Sequence, residues 1–292
     1  MYNIAIIGVG LIGGSMAIDL KDFQNVKKII GVDKNEEHIS VAKKLGLIDE
    51  SMDLTQAMNT CSVIILATPV DVSLVLLPEI LNMAQKHVVF DVGSTKGKLV
   101  MAASKNPRRG RYVATHPMAG TEYSGPEAAI PNLFKSKSVI FCDTDKSDAD
   151  ATKLVSEIYS FLGMNIIHMN TKSHDLHAAY VSHISHISSF TLALTVLEKE
   201  KQEKNILAMA GGGFDSTVRL AKSSPAMWTP ILLQNSENIV AVIDSYIDIL
   251  NAFKNSISHK NEDELNNLIT QSNKITRIVD KFKNKVELAN LS

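Results

Sequence analysis

Ile4-Ala5-Ile6-Ile7-Gly8-Val9-Gly10-Leu11-Ile12-Gly13-Gly14 joins a short apolar run to a glycine-spaced turn near the start of the chain. A run of this length suits a buried strand, and a GxGxxG pattern between a strand and a helix is a dinucleotide-binding signature. Each glycine has its own reason: Gly8 allows the tight turn, Gly10 lets the backbone approach a pyrophosphate, and Gly13 lets helix and strand pack closely. The free N–H groups at the helix start, at Leu11 and Ile12, add to the helix dipole and bind phosphate. Asp33 lies 20 residues after Gly13, at the end of the next apolar run. A carboxylate there accepts from both ribose hydroxyls of NAD and repels the 2′-phosphate of NADP. Lys34 beside it softens that repulsion, so NAD is favoured over NADP.

The pattern continues outward from this turn. Further short runs rich in Val and Ile fall at Lys28–Val32, Ser62–Ala67, His87–Asp91, Tyr112–Thr115, Ser138–Cys142 and Asn165–Met169. They read as buried parallel strands. Helix-length segments lie between several of them, at Leu11–Leu20, Glu36–Leu45, Val72–Ala84, Gly97–Ser104 and Asp148–Leu162. The fold class expected is therefore α/β, a Rossmann-type doubly wound sheet over residues 1–169. After about residue 170 the period becomes helical, which predicts an all-helical C-terminal domain over 170–292. Ser173 is the expected N-cap of a helix running towards Glu200. The apolar residues of Asn235–Phe253 cover nearly the whole circumference, so that helix is expected to be buried on most sides, with a second subunit helping to cover it. A last stripe holds Leu265, Leu268, Ile269, Ser272, Ile275, Val279 and Phe282, and the helical half is expected to end by about residue 288.

Composition narrows the function classes. Thirty Lys+Arg against 31 Asp+Glu give a net charge of −1, with no basic excess to advertise nucleic acid or an anionic membrane. Two cysteines, Cys61 and Cys142, make no disulfide framework and have no zinc-ribbon spacing. The N-terminus lacks a basic region and cleavage site, and no stretch reaches the ~20 apolar residues of a membrane span. A cytoplasmic protein with no membrane or nucleic-acid partner is expected.

The chemistry-bearing residues cluster at strand ends. Thr68-Pro69 follows the third apolar run, and Asp91-Val92-Gly93-Ser94 follows the next. Ligands of doubly wound sheets sit outside the carboxyl ends of the strands, so both turns should border the cofactor. His116 stands just past another strand, in Thr115-His116-Pro117-Met118-Ala119-Gly120-Thr121-Glu122. An imidazole there suits a group that handles a proton while hydride leaves the same carbon, and the Ser94 hydroxyl could orient the ring. His183 and His186 fall about 60° apart on one helical wheel while His174 and His177 point elsewhere, so the four cannot converge on one ion without a break in the helix. No metal site is expected, and His183 with His186 reads as a polar pocket wall. Gly211-Gly212-Gly213-Phe214 calls for a close approach or a sharp turn, and Arg219 beyond it can grip a carboxylate bidentately.

Taken together, these pieces resemble the arogenate/prephenate dehydrogenase family of tyrosine biosynthesis. The resemblance covers nearly the whole chain and keeps family order: GVGLIGGS (8–15), DVGSTKGK (91–98), THPMAGTE (115–122), SHISH (182–186), GGGF (211–214) with Arg219, and PAMW (225–228). It implies NAD-dependent oxidative decarboxylation of prephenate to 4-hydroxyphenylpyruvate. His116 would be the catalytic histidine on the ring hydroxyl, supported by Ser94, and Arg219 would bind a substrate carboxylate. His186, Thr121, Glu122 and Trp228 would line the pocket, with His183 in the same motif. Ser185 departs from the family, whose members often carry Pro there, in the segment that presents His186. The apolar Asn235–Phe253 helix, for its part, points to a homodimer through the helical domain. No room is expected for an appended effector-binding domain or a fused chorismate mutase, so any feedback by tyrosine would act at the active site. Arogenate dehydrogenase is the nearest alternative. A β-hydroxyacid dehydrogenase is expected to use a helical-domain lysine instead of His116, and a non-catalytic NAD sensor would need neither His116 nor Arg219.

Overall fold

The computed structural model describes residues 2–280. Strand β1 (Tyr2–Ile7) leads through the glycine turn into helix α1 (Leu11–Leu20) and β2 (Val26–Val32). Then follow α2 (Glu36–Lys44), β3 (Glu50–Ser51), α3 (Leu54–Thr60), β4 (Val63–Leu66), α4 (Val70–Met83), β5 (Val88–Asp91), α5 (Gly97–Ala103) and β6 (Tyr112–Pro117). After β6 come β7 (Ser138–Cys142), α6 (Ala149–Phe161) and β8 (Asn165–Met169). The strands form one sheet in the order β3-β2-β1-β4-β5-β6-β7-β8. The chain crosses from the β2 side of β1 to its β4 side, so the topological switch point lies at the carboxyl ends of β1 and β4, beside the glycine turn.

Residues Val63–Leu66 and Val88–Asp91 are buried throughout, as expected for central strands covered on both faces. Two expectations about the sheet change. β7 runs antiparallel to β6, so the sheet is not wholly parallel. A parallel neighbour needs a crossover connection, and residues 118–137 supply no helix that packs back onto the sheet. Instead they turn over α1, where Ser15 Oγ accepts from Ile130 N at 3.0 Å and Asp19 Oδ1 from Asn132 N at 3.0 Å. β8 is half-exposed rather than buried, because it is the edge strand.

Two elements lie between the predicted ones. β3 has only two residues, too few to leave a periodic signal. α3 carries a capping box: Asp53 accepts from Gln56 N at 2.7 Å, and the Gln56 side chain accepts from Asp53 N.

Between residues 170 and 280 the regular structure is helical: α7 (Thr171–Ala178), a π-helical turn (Ala179–His183), α8 (Ile184–Glu200), α9 (Gly212–Val218), a 3-10 turn (Arg219–Lys222), α10 (Pro225–Gln234), α11 (Ser236–Ser258) and α12 (Glu262–Ser272). The N-cap of the first is Asn170, not Ser173; its side chain accepts from Ser173 N at 2.7 Å. The residues separate into two compact units, one up to Ser236 and one from Glu237 onward. In the second, the expected burial of the Asn235–Phe253 helix is not met within one chain. Val240, Tyr246, Ile247, Ile249 and Leu250 are exposed, while Ile239 and Val242 are buried. Phe282 and the expected end of the helical half lie outside the described residues. Among the described residues no helix is long and apolar enough to cross a membrane.

Loss of the α3 cap is a direct test of this local reading. Asp53→Ala should lower the unfolding free energy by about 1 kcal/mol in a denaturant titration, the usual worth of an N-cap.

Candidate active site

The glycine turn has the three properties its spacing predicts. Gly8 has φ +96°, and a Cβ there would lie 2.6 Å from the Ala67 carbonyl oxygen at the end of β4. At Gly13 a Cβ would lie 2.0 Å from the Gly8 carbonyl oxygen. At Gly10 it would meet nothing within 4 Å. Gly10 is the N-cap of α1 and supplies no side-chain cap, so the first N–H groups of the helix, at Leu11 and Ile12, are left for an external acceptor. Asp33 stands beside the turn, accepting from Val9 N at 3.1 Å and from Asn35 N at 2.9 Å, with His38 Nδ1 at 3.4 Å. An open cradle over a helix start, next to a fixed carboxylate, fits the pyrophosphate and ribose of NAD. Thr68 borders it, its hydroxyl 2.8 Å from Ser73 Oγ, and Pro69 caps α4.

The floor beneath the site is a buried polar network. Asp91, at the end of β5, bonds the Lys96 ammonium, accepts from Tyr112 OH at 2.7 Å and from Gly93 N at 2.8 Å. Thr115 donates through its hydroxyl to the Asp91 carbonyl and lies 2.8 Å from Tyr159 OH. Burial and the Asp91 charge push the Tyr112 pKa well up, so its O–H remains a donor. This network fixes the turn carrying Ser94 against the strand carrying His116.

His116 is buried, and its Nδ1 lies 2.8 Å from His174 Nε2. His174 Nδ1 lies 2.8 Å from Asp175 Oδ1. The Asp175 carboxylate also accepts from Lys96 N at 2.8 Å and Gly97 N at 2.7 Å, capping α5 from α7. The ring of His116 is therefore oriented by His174, which corrects the expectation that Ser94 does this: among the described residues no hydrogen bond joins Ser94 to it. Burial, then His174, Lys96 and His183, hold the His116 pKa well below its ordinary value, so the imidazole is neutral at pH 7.

The π turn brings His183 and His186 round towards the face that carries His174. On an unbroken α-helix His183 and His186 stand about 180° and 120° from His174. A π turn takes up one extra residue and rotates the rest of the helix back by about 100°, leaving about 80° and 20°. The single-wheel expectation that His174 points elsewhere fails for that reason. His177, in contrast, is exposed.

The remaining pocket residues adjoin this core. His183 Nδ1 accepts from Asn235 Nδ2 at 3.2 Å, and that amide also donates to the Asp175 carbonyl at 2.7 Å. Burial pushes the His183 pKa down to about 4. His186 stacks on Trp228, with ring centroids 3.5 Å apart, and donates from Nδ1 to the Ser182 carbonyl at 3.1 Å. Ser185 is exposed and reaches back towards the Val181 carbonyl at 3.5 Å, so the serine leaves the stacking of His186 intact. Arg219 lies near enough to His186 to add to the lowering of its pKa, behind burial as the main cause. Its guanidinium is 3.1 Å from Glu122 Oε2. Thr121 Oγ1 accepts from Tyr123 N at 3.2 Å. The three glycines 211–213 are exposed, and a Cβ on any of them would meet nothing, so packing gives no reason for them.

Among the described residues no group of three or more His, Cys, Asp or Glu is placed to hold a metal ion. A cavity of about 650 Å³ opens at the amino ends of the strands, lined by Asn3, Lys27, Met58, Cys61 and His87 among others. It lies away from the switch point, both ring nitrogens of His87 are already bonded, and burial pushes the Cys61 thiol up to about 11.

A dinucleotide cradle, a neutral buried imidazole beyond it and a pocket with an arginine define an NAD-dependent oxidoreductase of the two-part dehydrogenase class. The comparisons are consistent with this. The profile described as "Prephenate dehydrogenase, nucleotide-binding domain" matches residues 16–168, and "Prephenate dehydrogenase, dimerization domain" matches 170–271. The chain is 34% identical to the prephenate dehydrogenase of Bacillus subtilis (strain 168) over 90% of its length and 72% of that protein's. It superposes with TM-score 0.87 and 35% identity on prephenate dehydrogenase from A. aeolicus in complex with hydroxyphenyl propionate and NAD+, covering 95% of this chain and 98% of that one. It is similar, with TM-score 0.76 and 27% identity, to arogenate dehydrogenase from Synechocystis, over 96% of this chain and 99% of that one. The chain belongs to the prephenate dehydrogenase family.

The glycine geometry separates two variants. Gly10→Ala should leave the melting temperature unchanged but weaken NAD binding at least tenfold by calorimetry. Gly13→Ala meets backbone and should lose stability as well as binding.

Proposed function

We propose that this protein oxidises and decarboxylates prephenate to 4-hydroxyphenylpyruvate, with His116 as the base and Arg219 as the carboxylate anchor. One observation carries the reading: a neutral, buried imidazole with its Nδ1 engaged, in the last residues of β6, leaves Nε2 for a substrate proton. NAD, when bound, supplies the two-electron acceptor for the hydride of the carbon that bears the ring hydroxyl. His116 Nε2 takes the hydroxyl proton as that carbon becomes a carbonyl. When carbon dioxide leaves, the released bond pair flows through the ring to the oxygen, which takes the proton back as the ring becomes aromatic. His116 thus lends its lone pair and recovers it, which suits a group kept neutral by its surroundings.

Arg219 is half-exposed and already paired with Glu122, so it is held at the pocket mouth with a charge ready for a carboxylate. His186 and Trp228 offer a flat stacked wall, with His183, Thr121 and Glu122 around it. Ser94, in the turn after β5, would border the cofactor. Gly8, Gly10, Leu11, Ile12, Gly13, Asp33, Thr68 and Pro69 would hold NAD, and the Asp33 carboxylate disfavours NADP. The arogenate reading is supported by the likeness to the Synechocystis enzyme, since only the substrate side chain differs, a keto group against an amino group. The higher identity to the A. aeolicus prephenate dehydrogenase favours prephenate.

We also infer a functional division near residue 169, with residues 1–169 binding the dinucleotide and residues 170–292 binding substrate and pairing subunits. The exposed apolar residues of α11 and the dimerization-domain match support a homodimer through that half. Two free buried cysteines suit a reducing, cytoplasmic setting.

Steady-state assays with prephenate and arogenate, each with NAD and NADP, should give the highest kcat/KM for prephenate with NAD. His116→Asn should lower kcat by roughly 10²–10⁴-fold with NAD affinity retained, and near-normal turnover would remove His116 from the chemistry. Arg219→Ala should chiefly raise the KM for prephenate; an unchanged KM would remove it as the anchor. Sedimentation at micromolar concentration should give a dimer.

A further inference from the structure

We propose that Asp175 and His174 act on the reaction through His116: they place its lone pair on Nε2, and they share the charge when that nitrogen takes the substrate's proton. The proposal deepens the reading of His116 as the base and rests on it.

The assignment of protons follows from the far end of the chain of contacts. Lys96 N and Gly97 N are backbone donors and cannot exchange roles. Both point at Asp175, one at each carboxylate oxygen, at 2.8 and 2.7 Å. The carboxylate must therefore accept. Burial alone would raise its pKa, but the bonds from His174, Lys96 and Gly97 outweigh burial and keep it ionised. With Asp175 Oδ1 accepting, His174 Nδ1 has to be the N–H donor across their 2.8 Å contact. With a single ring proton, held on Nδ1 by Asp175, His174 carries its lone pair on Nε2. That nitrogen faces His116 Nδ1 at 2.8 Å, so His116 Nδ1 has to donate. The neutral His116 is left with one accepting nitrogen, Nε2. Two main-chain N–H groups thus dictate the tautomer of a ring two side chains away.

The surroundings leave this order few ways to change. His174 is 2% exposed and Asp175 is 7% exposed, so water does not replace either partner. The rings meet at 69° with centroids 5.1 Å apart, edge to face, which puts the two nitrogens in line. The charged and titratable groups that face the pair are Lys96, whose ammonium is bonded to Asp91, and His183, whose Nδ1 accepts from Asn235. Neither is a hydrogen-bond partner of either ring.

The proton step balances within this chain. The substrate O–H bond breaks, its electron pair stays on oxygen, and the proton bonds to His116 Nε2. The proton on His116 Nδ1 can then pass to His174 Nε2, which leaves the positive charge on His174 against the Asp175 carboxylate. The reverse transfers return the proton when the phenol oxygen forms. His174 and Asp175 touch neither substrate nor cofactor in this scheme; they are positioning residues.

The test uses the full-length protein labelled with 15N-histidine. In long-range 1H–15N spectra at neutral pH, His116, assigned by its loss in His116→Asn, should show an unprotonated Nε2 and a protonated Nδ1. The opposite tautomer would overturn the proposal without any reference to activity. Asp175→Asn can turn its amide N–H towards His174, reversing both rings and protonating His116 Nε2. Its kcat should fall by roughly 10²–10⁴-fold while NAD affinity stays within about twofold, since loss of tautomer control costs a serine-protease triad about 10⁴. His174→Gln covers the case in which Asp175→Asn does not fold. Its amide oxygen still accepts from His116 Nδ1 but cannot hold the charge. It should keep the His116 tautomer yet lose at least tenfold in kcat, with a larger solvent isotope effect; unchanged kcat would sink the charge-sharing. If His116→Asn itself turns over normally, the base assignment fails. If His116→Asn is inactive while Asp175→Asn keeps both kcat and tautomer, only the relay fails.

Discussion

Lys96 has no exposed surface, and its two ends hold the site together. Its ammonium is bonded to Asp91 at the end of β5, and its main-chain N–H is bonded to Asp175 on α7. Removing one partner of a buried ion pair costs about 3–5 kcal/mol, because the other charge is stranded out of water. Asp91 therefore cannot drift, and the main-chain N–H groups of Lys96 and Gly97 hold Asp175. Asp91 secures the strand that carries His116, through Tyr112 and Thr115, and Asp175 secures the helix that carries His174. The distance between the two imidazoles is set by one residue that belongs to neither.

This framework explains why a pocket rich in histidine is nevertheless not cationic. Burial lowers the pKa of His116, His183 and His186 alike. The positive charge nearest the mouth is then Arg219, balanced by Glu122. In the proposed reading, recognition of an anion at the mouth and acceptance of a proton inside are thereby kept apart. Were the interior rings protonated, they would hold a carboxylate where the ring hydroxyl needs to be.

Much of this was readable from residues. The strands at Ser138–Cys142 and Asn165–Met169 and helix α1 fall where hydrophobic period and glycine spacing put them. The glycine turn, Asp33 and the strand-end location of His116 followed from spacing as well. The direction of β7 did not, because a strand's period is the same either way and only the fate of residues 118–137 decides it. The Asp53…Gln56 capping box was a signal for α3 in plain sight. Asn170 outcompeted Ser173 as a cap because both suit the role and only the backbone path chooses between them. The apolar circumference of α11 could not say that one chain leaves much of it exposed. Most of all, His174 was hidden by treating residues 173–200 as one regular helix; a His-Asp pair preceding SHISH by seven residues was the available clue.

The π turn at Ala179–His183 is, in geometry, one residue more than a regular helix would use. Deleting a residue there would restore uniform i→i−4 pairing and make a straighter, better-bonded rod. It would also swing Trp228's stacking partner round to another side of the cylinder. Over these five residues, better main-chain pairing and histidines in phase are therefore competing outcomes.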